Sequence, residues 1–140
     1  MIRKLLVGYD GSEPAARAFD FALDLARRYN AELHVLAVAR PPEFGTEVET
    51  EAVIETSRRH FAHVLQPLKT QLTTESIQTK YEIAVGHPAE QILRYAELHR
   101  IDHIVVGHRG HTLFERWLLG SVARQVIAHA PCAVTVVRKP

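Results

Sequence analysis

The chain has 140 residues, 46% of them hydrophobic, and its 17 Lys and Arg residues nearly balance its 16 Asp and Glu residues, giving a net charge of +1. This length and composition predict a single domain, residues 1–140, with a proper hydrophobic core. Because no block of one charge sign stands out, the composition gives no support to a nucleic-acid partner.

Cysteine content and hydropathy indicate the cellular compartment in which the protein is expected. Cys132 is the one cysteine, so an internal disulfide is impossible, which fits a reducing compartment. The apolar run near the N-terminus is broken at Asp10, too early for a signal peptide. No apolar stretch approaches the ~18 residues of a membrane span. The sequence therefore predicts a cytoplasmic protein with no membrane segment.

The N-terminal part of the chain alternates a strand pattern with a helix pattern. Leu5 to Tyr9 predicts a first strand, which ends at a turn cluster that begins with Asp10. A helix is predicted from Pro14, which suits a first helical turn, to a stop at Asn30. Leu33 to Ala39 predicts the second strand.

The same alternation continues to the C-terminus. A long helix carries an apolar stripe from Phe61 to Leu72, and Pro67 inside the stripe is expected to kink or break it. Pro88 opens a further helix. The third, fourth and fifth strands are predicted at Thr79 to Val85, Ile104 to Val106 and Ala133 to Val137.

Strands that alternate with helices predict an α/β protein, a doubly wound, Rossmann-like parallel sheet with helices on both faces. Right-handed crossovers leave few topologies, and the plausible strand order is 3-2-1-4-5. The chain then reverses direction between strands 1 and 4, and ligands bind outside the carboxyl ends of the strands at such a switch point. This order brings Asp10, at the end of strand 1, beside Gly107, at the end of strand 4.

Three glycines and a serine lie between strand 4 and the next helix: Gly107, Gly110, Gly120 and Ser121, with Ser121 predicted as the N-cap before Val122. Glycine lets backbone N–H groups approach a ligand, and a helix N-terminus attracts phosphate. Each residue taken singly fits an ordinary turn or cap. Together, in register, they predict a phosphate-binding loop.

The spacing of this motif resembles the nucleotide-binding signature of the universal stress protein family: Gly, two residues, Gly, nine residues, Gly, then Ser or Thr. Residues 4–14 are similar to the family's first strand and acidic loop, and Gly86-His-Pro-Ala-Glu is similar to its third strand-to-helix turn. Leu119-Gly-Ser-Val-Ala and His129-Ala-Pro-Cys-Ala-Val are similar to its last helix and strand. The resemblance covers Ile2 to Arg138, but residues from about 41 to 76 carry no motif.

The resemblance implies an ATP-binding regulatory protein of the stress response, with or without Mg²⁺. Asp10 would accept hydrogen bonds from the ribose or the adenine amino group; the alternative is that it only caps the turn or the following helix. Val38 would offer backbone groups to the adenine edge. The remaining site residues, near the phosphates, would be Gly107, His108, Gly110, Gly120, Ser121 and Val122. The family often has a small hydroxyl residue at the position of His108.

No catalytic set can be assembled from the sequence. The chain lacks a P-loop motif and a nucleophile–base–orienter set, so it is at most a slow ATPase or a self-phosphorylating protein. Asp10 and Glu115 are the weak candidates for a single Mg²⁺. Among nine histidines, two His-x-x-His pairs, at residues 60–63 and 108–111, have ligand-like spacing. A structural metal site needs about four ligands, and no metal site is predicted.

Strand five predicts a homodimer. Ala133 to Val137 is apolar and lies at a sheet edge in the predicted order, and pairing with its twin removes an aggregation hazard. The alternative contact is the apolar segment Leu113 to Leu119, which includes Trp117 and fits core packing equally well. An alternative function is a nucleotide-independent dimer that acts through protein contacts, and such family members typically lack the intact glycine–serine signature.

Overall fold

Strand and helix alternate along the chain in the computed structural model, which describes residues 1–108 and 120–139. The elements are β1 (Lys4–Gly8), α1 (Glu13–Tyr29), β2 (Glu32–Ala39), α2 (Glu47–Leu72), β3 (Thr79–Val85), α3 (Pro88–Leu98), β4 (His103–Gly107), α4 (Ser121–His129) and β5 (Ala133–Val137). The strands form one parallel sheet in the order β3-β2-β1-β4-β5. The predicted α/β class and strand order are therefore confirmed.

Alternate residues of the strands form two hydrophobic cores, one on each face of the sheet. On the face covered by α1 and α2, the buried strand residues are Leu5, Val7, Leu33, Val35, Ala37 and Val105. On the face covered by α3 and α4, they are Leu6, Leu36, Ile104 and Val106. A parallel sheet with helical crossovers has both of its faces covered by helices. The carboxyl ends of the strands then lie between the two helix layers and are not covered by them.

α1 has a defined cap at each end. The hydroxyl oxygen of Ser12 accepts a hydrogen bond from the backbone N–H of Ala15 at 3.3 Å. At the other end Asn30 adopts the left-handed conformation, with φ of 52°, which Asn tolerates better than most residues. The predicted stop at Asn30 is confirmed.

α2 begins with a capping box that the sequence interpretation did not identify, because the Thr46 hydroxyl and the Glu49 carboxylate cap each other's backbone N–H groups. Its buried side chains lie only in its last third, at Leu65, Leu68 and Leu72. The helix runs through Pro67 to Leu72, so of the predicted kink or break at this proline the break is not observed. Burial of three leucines offsets the ~3 kcal/mol that an interior proline costs a helix.

No described helix combines the length and the apolar character that crossing a membrane requires.

Candidate functional site

A cavity of about 490 Å³ lies at the carboxyl ends of β1, β2 and β4, at the predicted switch point. Six of the predicted site residues line it: Asp10, Val38, Gly107, Gly120, Ser121 and Val122. His108 does not line it; its side chain is 5% exposed, and its backbone N–H donates to the carbonyl of Val137 at 3.0 Å. Gly110 lies outside the described residues, as do Glu115, His111 and the segment Leu113 to Leu119.

Asp10 is held in place by the turn that follows β1. Its Oδ1 accepts the backbone N–H of Ser12 at 3.0 Å and the Ser12 hydroxyl at 2.5 Å. Ser12 in turn caps α1, so the carboxylate, the turn and the helix start form one unit. The turn-capping role considered for Asp10 is therefore present, and the same residue also lines the cavity. Burial, and then the negative charge of Asp10, raise the pKa of the neighbouring Tyr9.

Gly107 has a packing role that the sequence interpretation did not anticipate. A Cβ at this position would lie 2.4 Å from the carbonyl oxygen and 2.6 Å from the carbonyl carbon of Pro14. The start of α1 therefore rests directly on the backbone of β4. Glycine is required here because the two backbones approach each other, and this contact brings the Asp10 turn against the end of β4.

The start of α4 faces the cavity. The N-cap is Gly120, with φ of −60° and ψ of 155°, and its carbonyl accepts the N–H of Arg124 at 2.9 Å. The prediction that Ser121 is the N-cap is wrong by one residue, since Ser121 already has its place in the first helical turn. The N–H groups of a first helical turn have no partner within the helix. Here Ser121, Val122 and Ala123 all line the cavity.

The surroundings of this helix start favour an anion. The first turn of α4 contains no acidic residue, so nothing in it opposes the positive end of the helix dipole. A Cβ added to Gly120 would meet no described atom within 4 Å. The residues present thus fit a phosphate group, since they offer backbone donors, a favourable field and open space.

Five further residues line the cavity that the sequence did not point to as site residues. They are Arg40 after β2, Ser57 and Phe61 from α2, and Pro88 and Ile92 from α3. Arg40 and Asp10 are the two charged side chains among the described lining residues. Gly86-His-Pro pointed to the start of α3, but no motif pointed to α2.

Metal ligands do not gather in the described residues. Within residues 1–108 and 120–139, no group of three His, Cys, Asp or Glu side chains is placed to hold a metal ion. His60 and His63 both lie on the exposed surface of α2.

Comparison with known proteins gives concordant results. The sequence model of the Universal stress protein family matches residues 1–138. A universal stress protein of Methanocaldococcus jannaschii is 32% identical over all of this chain and 84% of its own length. The structure of universal stress protein UspA from Lactobacillus plantarum is 33% identical, with 97% of each chain covered and a TM-score of 0.83.

Two more distant solved structures share the fold and carry nucleotides. One is a universal stress protein in complex with cAMP, 23% identical, with 96% of each chain covered and a TM-score of 0.73. The other is an Arabidopsis thaliana family protein with AMP bound, 20% identical, with 99% of this chain and 92% of that chain covered and a TM-score of 0.75. Since the family model spans nearly the whole sequence and relatives above 30% identity match it from end to end, this chain belongs to the universal stress protein family.

Proposed function

We propose that this protein is an ATP-binding regulatory module of the stress response, and that the cavity at the carboxyl ends of β1, β2 and β4 is its nucleotide site. The observation that carries the proposal is the start of α4, whose first-turn residues line the cavity beside open space at Gly120. The cAMP and AMP complexes of two relatives support an adenine nucleotide as the ligand class.

Seven residues would each bind a part of the nucleotide. Phosphates are held by the backbone at the end of β4 and at the start of α4, in the set Gly107, Gly110, Gly120, Ser121 and Val122. Asp10 accepts hydrogen bonds from the ribose or the adenine amino group, and Val38 presents backbone groups to the adenine edge. A contact between His108 and phosphate stays a prediction, as does a cytoplasmic location. A bound nucleotide would change the charge and the shape of the cavity. A regulatory protein can signal such a difference between its bound and empty states to a partner.

The test begins with the purified protein. Denaturing it and separating the supernatant by chromatography is expected to release an adenine nucleotide, and calorimetry on the stripped protein is expected to give micromolar or tighter ATP binding with weaker GTP binding. Titrations with and without Mg²⁺ decide whether the ion contributes. A stripped, folded protein that binds neither ATP nor AMP refutes the proposal and favours the nucleotide-independent alternative.

The proposal includes a homodimer through β5. This strand lies at the edge of the sheet and pairs with β4 alone among the described strands. Val134 and Val136 pack against the core under α3 and α4 but are only half-buried, so part of the apolar surface of this edge strand is exposed in the single chain. Soluble proteins avoid such an edge, and pairing it with a second copy across a two-fold axis covers it.

A further inference from the structure

Part of the cavity wall comes from two helices, α2 and α3, that lie on opposite faces of the sheet. Phe61 of α2 belongs to the α1–α2 side and packs against that core while it also lines the cavity. Ile92 of α3 belongs to the other side, where it is 4% exposed, and it lines the same cavity. Two apolar side chains from opposite sides of the sheet thus line one cavity, and apolar surface of this kind suits the faces of a flat ring.

The floor of this space is close to the backbone of β1. A Cβ on Gly8 would lie 3.1 Å from Cδ1 of Ile92, so the isoleucine rests directly on the end of the strand. Gly8 pairs with Leu36 of β2, and both line the cavity. Packing on rigid strand ends fixes Ile92, because the isoleucine has little room to change its position.

α2 is fixed over the cavity by its contact with the Asp10 turn. Cγ1 of Val64 lies 3.0 Å from the place that a Cβ on Gly11 would occupy, and Gly11 has a φ of +83° in that turn. Ser57, Phe61 and Val64 follow one another at helical i, i+4 and i+7 spacing, so they share one face of α2. The contact at Val64 therefore joins the Asp10 turn to the face of α2 that carries Phe61, and both Phe61 and Ser57 line the cavity.

Phe61 is one of two aromatic side chains among the described lining residues, the other being Tyr9. The Tyr9 ring is engaged elsewhere, in an edge-to-face contact with Phe19 at a centroid distance of 6.2 Å. Phe61 is half-buried, and its only described ring contact is with its chain neighbour His60. Its ring is thus the aromatic surface best placed to receive a ligand in this cavity.

We propose that the base of the bound nucleotide stacks on Phe61 and is held against Ile92 on its other face, so that α2 supplies the stacking surface for the base. This inference rests on the proposed function and adds a stacking residue to it from the stretch of chain that carries no family motif. Aromatic side chains stack on any base and gain affinity without hydrogen bonds. Selection of adenine is then left to polar groups at the base edge.

The test compares ATP affinity, measured by calorimetry, in Phe61 variants that keep or remove the ring. Phe61→Leu keeps an apolar side chain against the core but has no ring, and Phe61→Tyr keeps the ring. Loss of a stacking ring is expected to weaken ATP binding by about tenfold or more in Phe61→Leu. Phe61→Tyr is expected to bind ATP as wild type does. Phe21→Leu is the matched control, since Phe21 is 42% exposed on α1 and does not line the cavity.

Wild-type protein provides a second measurement that does not depend on the folding of any variant. Amide hydrogen exchange in the α2 peptide containing Ser57 and Phe61 is expected to slow when ATP is added. Unchanged exchange there, or wild-type ATP affinity in a folded Phe61→Leu protein, overturns the inference while the proposed function stands. Equal losses in the Leu and Tyr variants also overturn it. A wild-type protein that does not bind ATP overturns the proposed function itself, and this inference with it.

Discussion

Gly107 and Gly120 belong to the same sequence motif, but alanine at these two positions is expected to have opposite effects. In Gly107→Ala the new Cβ would lie 2.4 and 2.6 Å from the carbonyl oxygen and carbon of Pro14. Rotation of a side chain cannot relieve a clash with backbone, so α1 must shift away from β4. Overpacking of this kind costs ~1–3 kcal/mol, a large part of the ~5–15 kcal/mol that stabilises a typical domain.

In Gly120→Ala the methyl group meets no described atom within 4 Å, and φ of −60° suits alanine. Alanine is a poorer N-cap than glycine by roughly 0.5–1 kcal/mol. The smaller conformational freedom of the unfolded chain offsets this by ~0.4–1 kcal/mol. The net change in the free energy of unfolding is therefore expected to be near zero. The methyl group would instead enter the space assigned to phosphate and weaken ATP binding.

Urea unfolding and thermal melts followed by circular dichroism measure the first effect, and ATP calorimetry measures the second. For a domain of this size each kcal/mol lowers Tm by about 3–4 °C, so Gly107→Ala is expected to melt clearly below wild type. A Gly107→Ala protein as stable as wild type would refute the packing argument. A Gly120→Ala protein with unchanged ATP affinity would refute the assignment of open space at α4 to phosphate.

Other residues give further predictions. His34 is 1% exposed, and burial lowers its pKa more than the Glu32 carboxylate raises it. In the unfolded chain this histidine takes up a proton near pH ~6.5. The free energy of unfolding is therefore expected to fall as the pH drops below that value. Urea unfolding on both sides of pH ~6.5 checks this, and an equal pH effect in His34→Gln would contradict it. Ser12→Ala removes the α1 cap and is expected to lower the free energy of unfolding by ~1 kcal/mol in the same assay; a loss near zero would show that the cap is not stabilising. Asp10→Ala is expected to weaken ATP binding by ~1–3 kcal/mol in calorimetry, and an unchanged affinity would remove Asp10 from the site. Val136→Lys places a charge on the β5 edge and is expected to give a monomer by light scattering, whereas a dimeric variant would exclude this interface.

The carboxyl-edge site is predictable from the sequence because its parts follow strand ends. Asp10, Val38 and Gly107 each lie close to the end of an apolar run. In a parallel sheet the carboxyl ends of all strands lie along the same edge of the sheet. The helix start at Gly120 and Ser121 is predictable because capping and glycine preferences are local, although the predicted N-cap is misplaced by one residue. Errors of one residue are common at helix ends, because helix ends fray and only the cap geometry fixes the first helical residue.

Local patterns in the chain are sufficient for the order of strands and helices and for the glycine–serine motif, because hydrophobic periodicity and turn chemistry act over a few residues. The strand order in the sheet also needs the right-handedness of the crossovers, which leaves few topologies. The contacts around the cavity depend on packing between distant segments. Pro14 packs against Gly107, the His108 side chain lies outside the cavity lining, and Phe61 and Ile92 line one cavity. These facts join residues dozens of positions apart. No local pattern records such a contact, because it exists only after the helices have packed on the sheet.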